Sequence, residues 1–268
     1  FVERTIHSVL NQTYEDFEFL IFDDCSTDGT ADVIRQCLDR IQDPRIRPTF
    51  NQENRGFVNG LIDTIKRASG EYIAIMGSGD VMASDRIARQ VELMDKQPET
   101  GVVGSHYVNL FEKRRVYRIR KPDVHNLSFE KLLEKNAFSH GEVMFRKSVY
   151  DAVGGYRSVF KFNQDYDLWL RMIRKSSFAI VPKILYLRFI QEDGASYNPE
   201  KYILQSRFVL LSKRINRLSE EDGRILLKEV AENGIDKTIS LDNPMLQKRV
   251  RFGIMRHLAW GNIPLALD

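Results

Sequence analysis

The spacing of apolar residues in the first hundred positions predicts strands and helices in alternation. A short apolar run at residues 17–22, ended by an Asp/Ser/Gly turn, predicts a buried strand. Thr30 is a candidate N-cap for a helix after this turn, because the apolar residues that follow it share one helical face. These residues are Val33, Ile34, Cys37, Leu38 and Ile41.

The alternation continues as far as Pro98. A second helical stripe comprises Phe57, Leu61, Ile65 and Ala68. Residues 72–76 then predict another buried strand, which ends at the glycine-rich turn of residues 77–80. Ser84 is expected to open a helix that stops before Pro98. Strands and helices in this order imply crossover connections, so we predict an α/β fold with a mostly parallel sheet.

The pattern changes after about residue 100. Residues 102–110 and 142–145 predict strands at a mixed edge of the sheet, and residues 165–175 predict a helix. From Pro199 onward the signal is almost entirely helical. We therefore expect a domain over residues 1–198 and a helical C-terminal extension over residues 199–268.

The two ends of the chain carry signals of their own. Residues 1–6 have the pattern of the middle of a helix, so we expect the chain to begin inside a domain. Residues 247–260 are basic and apolar, which favours a packing helix with a basic face. An amphipathic helix that contacts a membrane surface or a partner is the open alternative.

Composition narrows the class of protein. Of the 268 residues, 43% are hydrophobic and 29% are charged, which is ordinary for a globular protein. The formal net charge of +3 is too small to indicate a nucleic-acid partner, although anionic partners such as phosphates or acidic lipids stay open. Two cysteines exclude a disulfide scaffold and favour a cytoplasmic setting. No apolar run is long enough to predict a transmembrane helix.

Three acidic motifs could carry chemistry. The turn at residues 23–30 (DDCSTDGT) follows a predicted strand, where carboxylates can accept hydrogen bonds from a nucleoside, but the same residues suit any strand-to-helix turn. Asp80 ends the glycine-rich turn that follows the predicted strand at residues 72–76, and its carboxylate could bind a divalent cation. Alternatively, the glycines of this turn could serve only to make it tight. Asp165 precedes a helical stripe and could be either a helix N-cap or a general base.

Taken together and in order, these and several smaller segments resemble a family 2 glycosyltransferase with the GT-A fold. The segments are residues 8–14 (SVLNQTY), 23–30, 54–56 (NRG), 70–74 (GEYIA) with Asp80, 143–146 (VMFR), 154–156 (GGY) and 165–169 (DYDLW). The resemblance covers roughly residues 1–195. It implies a Rossmann-like sheet flanked by helices and an inverting transfer of a sugar from a nucleotide diphosphate to an acceptor hydroxyl.

The resemblance also implies a role for individual residues. Asp23 and Asp24 match the acids that hold the uracil and ribose of a UDP-sugar, with Asp24 on the base. Asp80 matches the last acid of the metal motif, which bridges Mn²⁺ or Mg²⁺ to the diphosphate. Asp165 matches the general base. The remaining expected site residues are Ser26, Asn54 and Gly56 for the nucleotide, and His140, Gly141, Arg146, Asp167 and Trp169 on the acceptor side.

The resemblance further implies a glycan or lipid-linked acceptor. We expect a cytoplasmic protein, for which peripheral contact with the inner face of the membrane through the C-terminal helices is the open alternative. Nucleic acid is not an expected partner.

Three departures from the family pattern qualify these expectations. Gly77 and Gly79 stand where the family usually has further acids, so we expect weak metal binding. The histidine that many relatives carry after a later strand is missing from residues 187–191. The family's first strand is also missing, and we expect that it precedes residue 1.

Two other functions compete with a transferase. A non-catalytic GT-A module that binds a nucleotide sugar or a partner protein would suit the reduced metal motif, but it has no need for Asp165. A nucleotidyltransferase would share the topology, but it would need a Gly-rich phosphate loop with Arg or Lys near its start, and the sequence has none.

Overall fold

The computed structural model describes residues 1–190 and 198–259, which divide into two compact units. Unit 1 consists of Phe1–Tyr156 and Arg171–Ile190. Unit 2 consists of Arg157–Leu170 and, within the described part of the chain, residues 198–259. The division into functional domains at residue 198 stays a prediction.

Unit 1 contains all the described strands, and they form two sheets. The strands are β1 (Phe19–Asp23), β2 (Ile46–Phe50), β3 (Tyr72–Ala74), β4 (Val81–Met82), β5 (Thr100–Phe111), β6 (Val116–Arg120), β7 (Met144–Arg146) and β8 (Ser177–Phe189). β1 and β2 form a parallel pair. The larger sheet has the order β3-β7-β5-β8-β4, with β6 paired to β5.

The predicted α/β class, with a sheet flanked by helices, is confirmed, but the pairing of the strands is mixed rather than mostly parallel. β1–β2 and β5–β8 are parallel, whereas the other described pairs are antiparallel. The prediction holds where a helix crosses over between strands, as it does between β1 and β2. It fails for β5 and β6, because only a short turn at Glu112–Arg114 joins them, and a short connection can link antiparallel strands only.

Helices flank the sheets of unit 1, as the predicted fold class requires. They are α1 (Val2–Leu10), α2 (Thr30–Ile41), α3 (Phe57–Arg67), α4 (Arg86–Lys96), α5 (Phe129–Glu134) and α6 (Lys147–Ala152). The predicted apolar stripe of α4 is buried, and Met94 lies against Val103, Met144 and Leu185 in the core.

Two predicted helix starts differ from the structure. α2 begins at Thr30 itself, and Gly29 occupies the cap position with a φ of 81°. The Thr30 hydroxyl donates a hydrogen bond of 2.6 Å to Asp28 instead of capping the helix. α4 begins at Arg86, so Asp85 rather than Ser84 occupies its cap position. Turns rich in Asp, Ser and Gly offer several possible caps, and the sequence alone does not choose between them.

Unit 2 is helical, which confirms the predicted helical C-terminal region. Its helices are α7 (Gln164–Met172, of which the residues to Leu170 belong to this unit), α8 (Pro199–Ile215), α9 (Glu220–Asn233), α10 (Ile235–Thr238) and α11 (Pro244–Ala259). Their shared core contains Phe160, Phe208, Leu211, Leu226 and Leu246. None of the helices described is long and apolar enough to cross a membrane. The predicted C-terminal helix is present to Ala259, and Trp260 lies outside the described residues.

Candidate active site

The first acidic motif forms the turn between β1 and α2. Asp23 is the last residue of β1 and is 5% exposed; its Oδ2 accepts a hydrogen bond of 3.0 Å from the Ser26 backbone N–H. Ser26 itself is exposed. The turn needs unusual backbone geometry, since Cys25 and Gly29 both have positive φ values, of 60° and 81°. The motif therefore presents one buried and one half-buried carboxylate at the carboxyl end of β1.

Asp24 binds the loop that follows β2. Its Oδ1 accepts hydrogen bonds from the Asn51 side chain (2.9 Å) and the Arg55 backbone N–H (3.0 Å), and its Oδ2 accepts one from the Gly56 N–H (2.7 Å). Burial acts to raise the pKa of Asp24, but these bonds and the charge of Arg55 outweigh it and lower the pKa. Asn54 lies in the same loop and accepts a bond of 3.2 Å from Gly56 N–H.

Asp80 follows the turn after β3 and is 9% exposed. Its Oδ2 accepts a hydrogen bond of 2.6 Å from the Tyr186 hydroxyl, and its Oδ1 accepts one of 2.8 Å from the Phe189 N–H. Burial raises the pKa of Asp80, against the effect of these bonds and of the Arg188 and Arg4 charges. From α1, the Thr5 hydroxyl donates to Asp80 O at 2.8 Å and accepts from Gly79 N–H at 2.9 Å.

Tyr186 connects the Asp80 turn with the segment before β7. Its ring is fully buried, and its hydroxyl accepts a bond of 3.1 Å from Gly77 N–H while donating to Asp80. A Cβ on Gly77 would lie 2.6 Å from Asp80 Oδ2, and a Cβ on Gly141 would lie 2.0 Å from the Tyr186 hydroxyl. Glycine is therefore required at both positions for the backbone to approach this group.

His140 joins the same group to the loop around Gly56. Its ring lies edge-on to Phe57, with centroids 6.3 Å apart, and Phe57 directly follows Gly56. Its Nε2 lies 2.7 Å from the Tyr156 hydroxyl. Contacts and adjacent residues thus run from Asp24 through Gly56, His140 and Tyr186 to Asp80. Unit 1 brings the predicted nucleotide residues, the predicted metal ligand and two of the predicted acceptor residues to one edge.

Two arginines place positive charge beside Asp80. Arg4 donates to Gly79 O at 2.5 Å and to Glu112 at 3.1 Å, and its guanidinium stacks on the Phe189 ring at 3.4 Å. Its Nη2 is buried with no hydrogen-bond partner in the described part of the chain. Arg188 is half-buried on β8, two residues after Tyr186, so both side chains lie on the same face of the sheet.

The surroundings of Asp80 suit a divalent cation only in a limited way. Asp80 supplies one carboxylate, and each of its oxygens retains an acceptor position beside the hydrogen bond that it makes. Among the described residues, the one cluster of three potential metal ligands is Glu3, His7 and Cys37 on α1 and α2, and it does not include Asp80. A cation at Asp80 would take its other ligands from phosphate and water.

Two fully buried ionisable side chains, Arg86 and Glu142, lie close to the same region. Arg86 donates to the backbone oxygens of Ile75 and Val143 at 3.2 and 3.1 Å. Burial raises the pKa of Glu142 to about 8, although the Arg86 and Arg188 charges act to lower it. One oxygen of Glu142 accepts from Ser139 N–H at 3.1 Å, while the other has no hydrogen-bond partner in the described chain.

Arg146, which was expected on the acceptor side with His140 and Gly141, does not lie with this group, and its role there stays a prediction. It pairs with Tyr72 at the start of β3, whereas Asp80 follows the end of β3. There it binds Glu71 and donates to Met94 O at 3.2 Å. The reason is that β7 is antiparallel to β3, so residues before β7 lie at the Asp80 end and its last residue lies at the opposite end.

Asp165 lies in unit 2. α7 begins at Gln164, so Asp165 is the second residue of the helix and not its N-cap. Its side chain is half-buried and makes no hydrogen bond with any described residue. The structure thus removes the capping role, which the sequence had left as an alternative to a general base. A carboxylate in the first turn is also favoured by the helix dipole.

Asp167 and Trp169 are fully buried in unit 2. Asp167 Oδ1 accepts from Arg157 at 2.9 Å and from the Asn216 side chain at 3.0 Å. Asn163, which precedes α7 with a φ of 56°, donates to Gln205 O at 2.8 Å. These contacts fix the start of α7, and they place Asp167 and Trp169 inside the unit rather than on its surface.

Sequence reasoning missed several residues that build the site. Tyr186, Arg4, Thr5 and Glu142 come from segments without an acidic motif, and none was a candidate. Among them, only Thr5 lies close to a motif, because it precedes the segment of residues 8–14 by one helical turn. Within that segment, the Gln12 side chain donates a hydrogen bond of 2.7 Å to Ala83 O. The contacts of Tyr186 join residues 109 positions apart, which no local pattern reveals.

Comparison with known proteins gives a consistent result. The family profile described as Glycosyl transferase family 2 matches residues 1–161. The putative glycosyltransferase EpsE of Bacillus subtilis (strain 168) is 32% identical over 175 residues, covering 64% of this chain and 62% of that protein. The putative teichuronic acid biosynthesis glycosyltransferase TuaG of the same organism is 39% identical over 94 residues, covering 35% and 36%. The chain thus matches less than two thirds of the length of either relative.

Solved structures show the same fold. Staphylococcus aureus TarS 1-349 in complex with UDP-GlcNAc has a TM-score of 0.63 at 15% identity, over 95% of this chain and 77% of that one. The mannosyltransferase PcManGT of Pyrobaculum calidifontis, in complex with GDP-Man and Mn²⁺, has a TM-score of 0.61 at 19% identity, over 99% and 73%. Because the family profile matches more than half of its residues, this chain belongs to glycosyl transferase family 2.

Proposed function

We propose that the protein is an inverting glycosyltransferase that moves a sugar from a nucleotide diphosphate, with uridine as the preferred nucleoside, to an acceptor hydroxyl in glycan or polysaccharide biosynthesis. The acceptor oxygen forms a bond to the anomeric carbon, the bond from that carbon to the diphosphate breaks, and the hydroxyl proton passes to a carboxylate. A single displacement of this kind inverts the anomeric centre.

The contacts that connect Asp24 with Asp80 carry this proposal. They support it because they connect the carboxylate proposed for the nucleoside with the one proposed for the phosphates, through Gly56, His140 and Tyr186. Asp23, Ser26 and Asn54 complete the nucleoside side. Asp24 retains one open acceptor position on Oδ2, which suits a single N–H of a base, and it fixes the loop around Gly56.

Positive charge near Asp80 would stabilise the leaving diphosphate. The buried Nη2 of Arg4 lacks a partner in the described chain, and an unmet buried donor is costly unless a ligand satisfies it. Arg188 adds a second guanidinium on the same side of Asp80. A bound Mn²⁺ or Mg²⁺ would supply further charge neutralisation, with Asp80 holding it weakly unless the nucleotide is present.

Asp165 is proposed as the general base. Its carboxylate makes no hydrogen bond with the described residues, so none of them uses its acceptor capacity. Asp167 and Trp169 support this role from inside unit 2, since Asp167 ties the helix that carries Asp165 to Arg157 and Asn216. His140 and Gly141 are proposed to contribute to the acceptor side.

The cell setting is part of the same proposal. Both cysteines are free thiols, which suits a cytoplasmic protein. A glycan or lipid-linked acceptor would bring it to the inner face of the membrane. α11 exposes Phe252 (71%) and Met255 (64%), which supports the proposed peripheral contact through the C-terminal helices.

Calorimetric titration of nucleoside diphosphates tests the donor assignment. We expect UDP to bind more tightly than GDP or TDP, and Mn²⁺ to bind well only when UDP is present. Asp24→Ala should weaken UDP by about tenfold or more, since it removes a charged acceptor of three hydrogen bonds. Asp28→Ala is the matched control, because Asp28 lies in the same turn but, among the described residues, its side chain forms hydrogen bonds only with Thr30. Equal affinity for all nucleotides would refute the uridine preference.

A further inference from the structure

The hairpin of β5 and β6 is the most basic segment of unit 1. β6 is an edge strand whose five residues are all exposed. Residues 113–121 contain six basic side chains and no acid. The basic residues are Lys113, Arg114, Arg115, Arg118, Arg120 and Lys121. Glu112 immediately precedes these residues. Its carboxylate forms an ion pair with Arg4 at 3.1 Å, so its negative charge offsets that of Arg4 as well as that of the hairpin.

The same hairpin exposes large apolar side chains. Tyr117 is 65% exposed and Ile119 is 47% exposed. Across the ladder Tyr117 pairs with Leu110 and Ile119 pairs with Val108, so these four side chains share one face of the hairpin. Arg118 and Arg120 lie on the opposite face, because successive residues of a strand alternate. The hairpin is therefore amphipathic, with a charged face and an apolar face.

Protection of a sheet edge would explain the charge but not the apolar residues. Basic side chains on an edge strand prevent pairing with another chain. An exposed tyrosine and isoleucine on the same strand work against that effect, since they invite contact. Their presence beside six cations indicates a partner that offers both negative charge and an apolar layer.

A cavity at the base of the hairpin extends the apolar face. It has a volume of about 280 Å³. Its lining includes Phe111, Val116, Tyr117 and Phe189, with Arg115 at the side. Phe189 is the residue whose N–H binds Asp80 at 2.8 Å. The apolar surface of the hairpin thus reaches the backbone that holds the candidate phosphate site.

We propose that the β5–β6 hairpin docks unit 1 onto an anionic lipid surface. Tyr117 and Ile119 enter the headgroup layer, and the basic residues that flank them at the two ends of β6, Lys113, Arg115 and Lys121, bind lipid phosphates. A membrane fits this surface better than a soluble polyanion does, because only a membrane offers apolar material to Tyr117 and Ile119. This docking does not depend on sugar transfer, and it is separate from any contact made by α11.

Sedimentation of the full chain with lipid vesicles tests this proposal. We expect binding to vesicles that contain phosphatidylglycerol, little binding to pure phosphatidylcholine, and weakening by salt. Lys113→Gln with Lys121→Gln should weaken binding about 30-fold, from about a fivefold effect for each charge. Tyr117→Ser with Ile119→Ser should weaken it about tenfold. Arg224→Gln and Ile225→Ser on α9, both exposed, are the matched controls and should change little.

Nucleotide affinity of each variant, measured in parallel, shows that the fold is retained. Binding of the parent protein to both vesicle types alike, or to neither, would overturn the proposal. So would hairpin variants that bind as the parent does while changes at Phe252 and Met255 abolish binding. If the two lysine changes abolish binding but the Tyr117 and Ile119 changes have no effect, the surface recognises charge alone, and the lipid assignment is wrong.

Discussion

At the scale of single residues, Glu142 makes the stability of the protein depend on pH. Burial raises its pKa to about 8 in the folded state, against an ordinary value of 4.5. Between these values the unfolded chain has released the proton while the folded protein still holds it. The free energy of unfolding should therefore fall as the pH rises from about 5 to 8, by up to about 1.4 kcal/mol per pH unit.

Glu142→Gln should remove this part of the pH dependence. The amide oxygen can still accept the bond from Ser139 N–H, and no proton is gained or lost. We expect the variant to be more stable than the parent at pH 8 and similar at pH 5, as measured by urea unfolding. Glu99→Gln, at an exposed position before β5, is the control. An equal decline with pH in Glu142→Gln and the parent would show that another group causes it.

Some residues of the candidate site could be identified from the sequence, and others could not. Asp23, Asp24 and Asp80 became candidates because each stands at or shortly after the end of a strand signal, and each lies there in the structure, although their roles stay predictions. Tyr186 and Arg4 were not found, because their roles depend on contacts across the fold. A tyrosine within an apolar strand and an arginine on a helix have no local feature that distinguishes a site residue from a packing residue.

At the scale of elements, the 3-10 turn His140–Glu142 must pack against Tyr186. Gly141→Ala would place a methyl group 2.0 Å from the Tyr186 hydroxyl, and that ring is fully buried, so neither side can move easily. We expect a loss of about 1–3 kcal/mol in the free energy of unfolding and weaker UDP-dependent Mn²⁺ binding, because Tyr186 holds Asp80. Urea unfolding and calorimetry measure the two effects.

Gly223→Ala provides the matched control for this substitution. Gly223 lies within α9, where a Cβ would meet Ile215 at an ordinary 3.4 Å. Alanine should be neutral or stabilise this helix by up to about 1 kcal/mol. A Gly141→Ala protein as stable as the parent, with unchanged metal binding, would contradict the packing described for the turn.

Elements were predicted well in kind and less well in direction. The spacing of apolar residues identified β1, β3, β5 and the helices between them, because that spacing is set by the burial of one face of each element. They did not reveal that β7 runs antiparallel to β3, since strand direction depends on connections and not on period. The separation of Arg146 from His140 and Gly141 follows directly from this, because a residue at the end of β7 lies opposite the start of β3.

At the scale of the whole molecule, the order of the motifs identified the family, and the packed structure added the groups around them. The fold class was predictable because ordered motifs limit the topology strongly. The mixed sheet, the partner of each carboxylate and the basic hairpin were not, because each depends on residues far apart in sequence. The proposed enzymatic role depends on Asp165, whose carboxylate makes no hydrogen bond with the described residues.

Sugar transfer by Asp165→Asn tests the central claim most directly. Asparagine keeps the size of the side chain but removes its basicity, so transfer should fall about 10² to 10⁴-fold while UDP affinity changes little. Asp32→Asn, a first-turn acid of α2, controls for the helix dipole and should transfer at the parent rate. An Asp165→Asn protein that transfers sugar as fast as the parent would contradict the general base. A parent with no transfer despite tight UDP binding would favour a non-catalytic binding module.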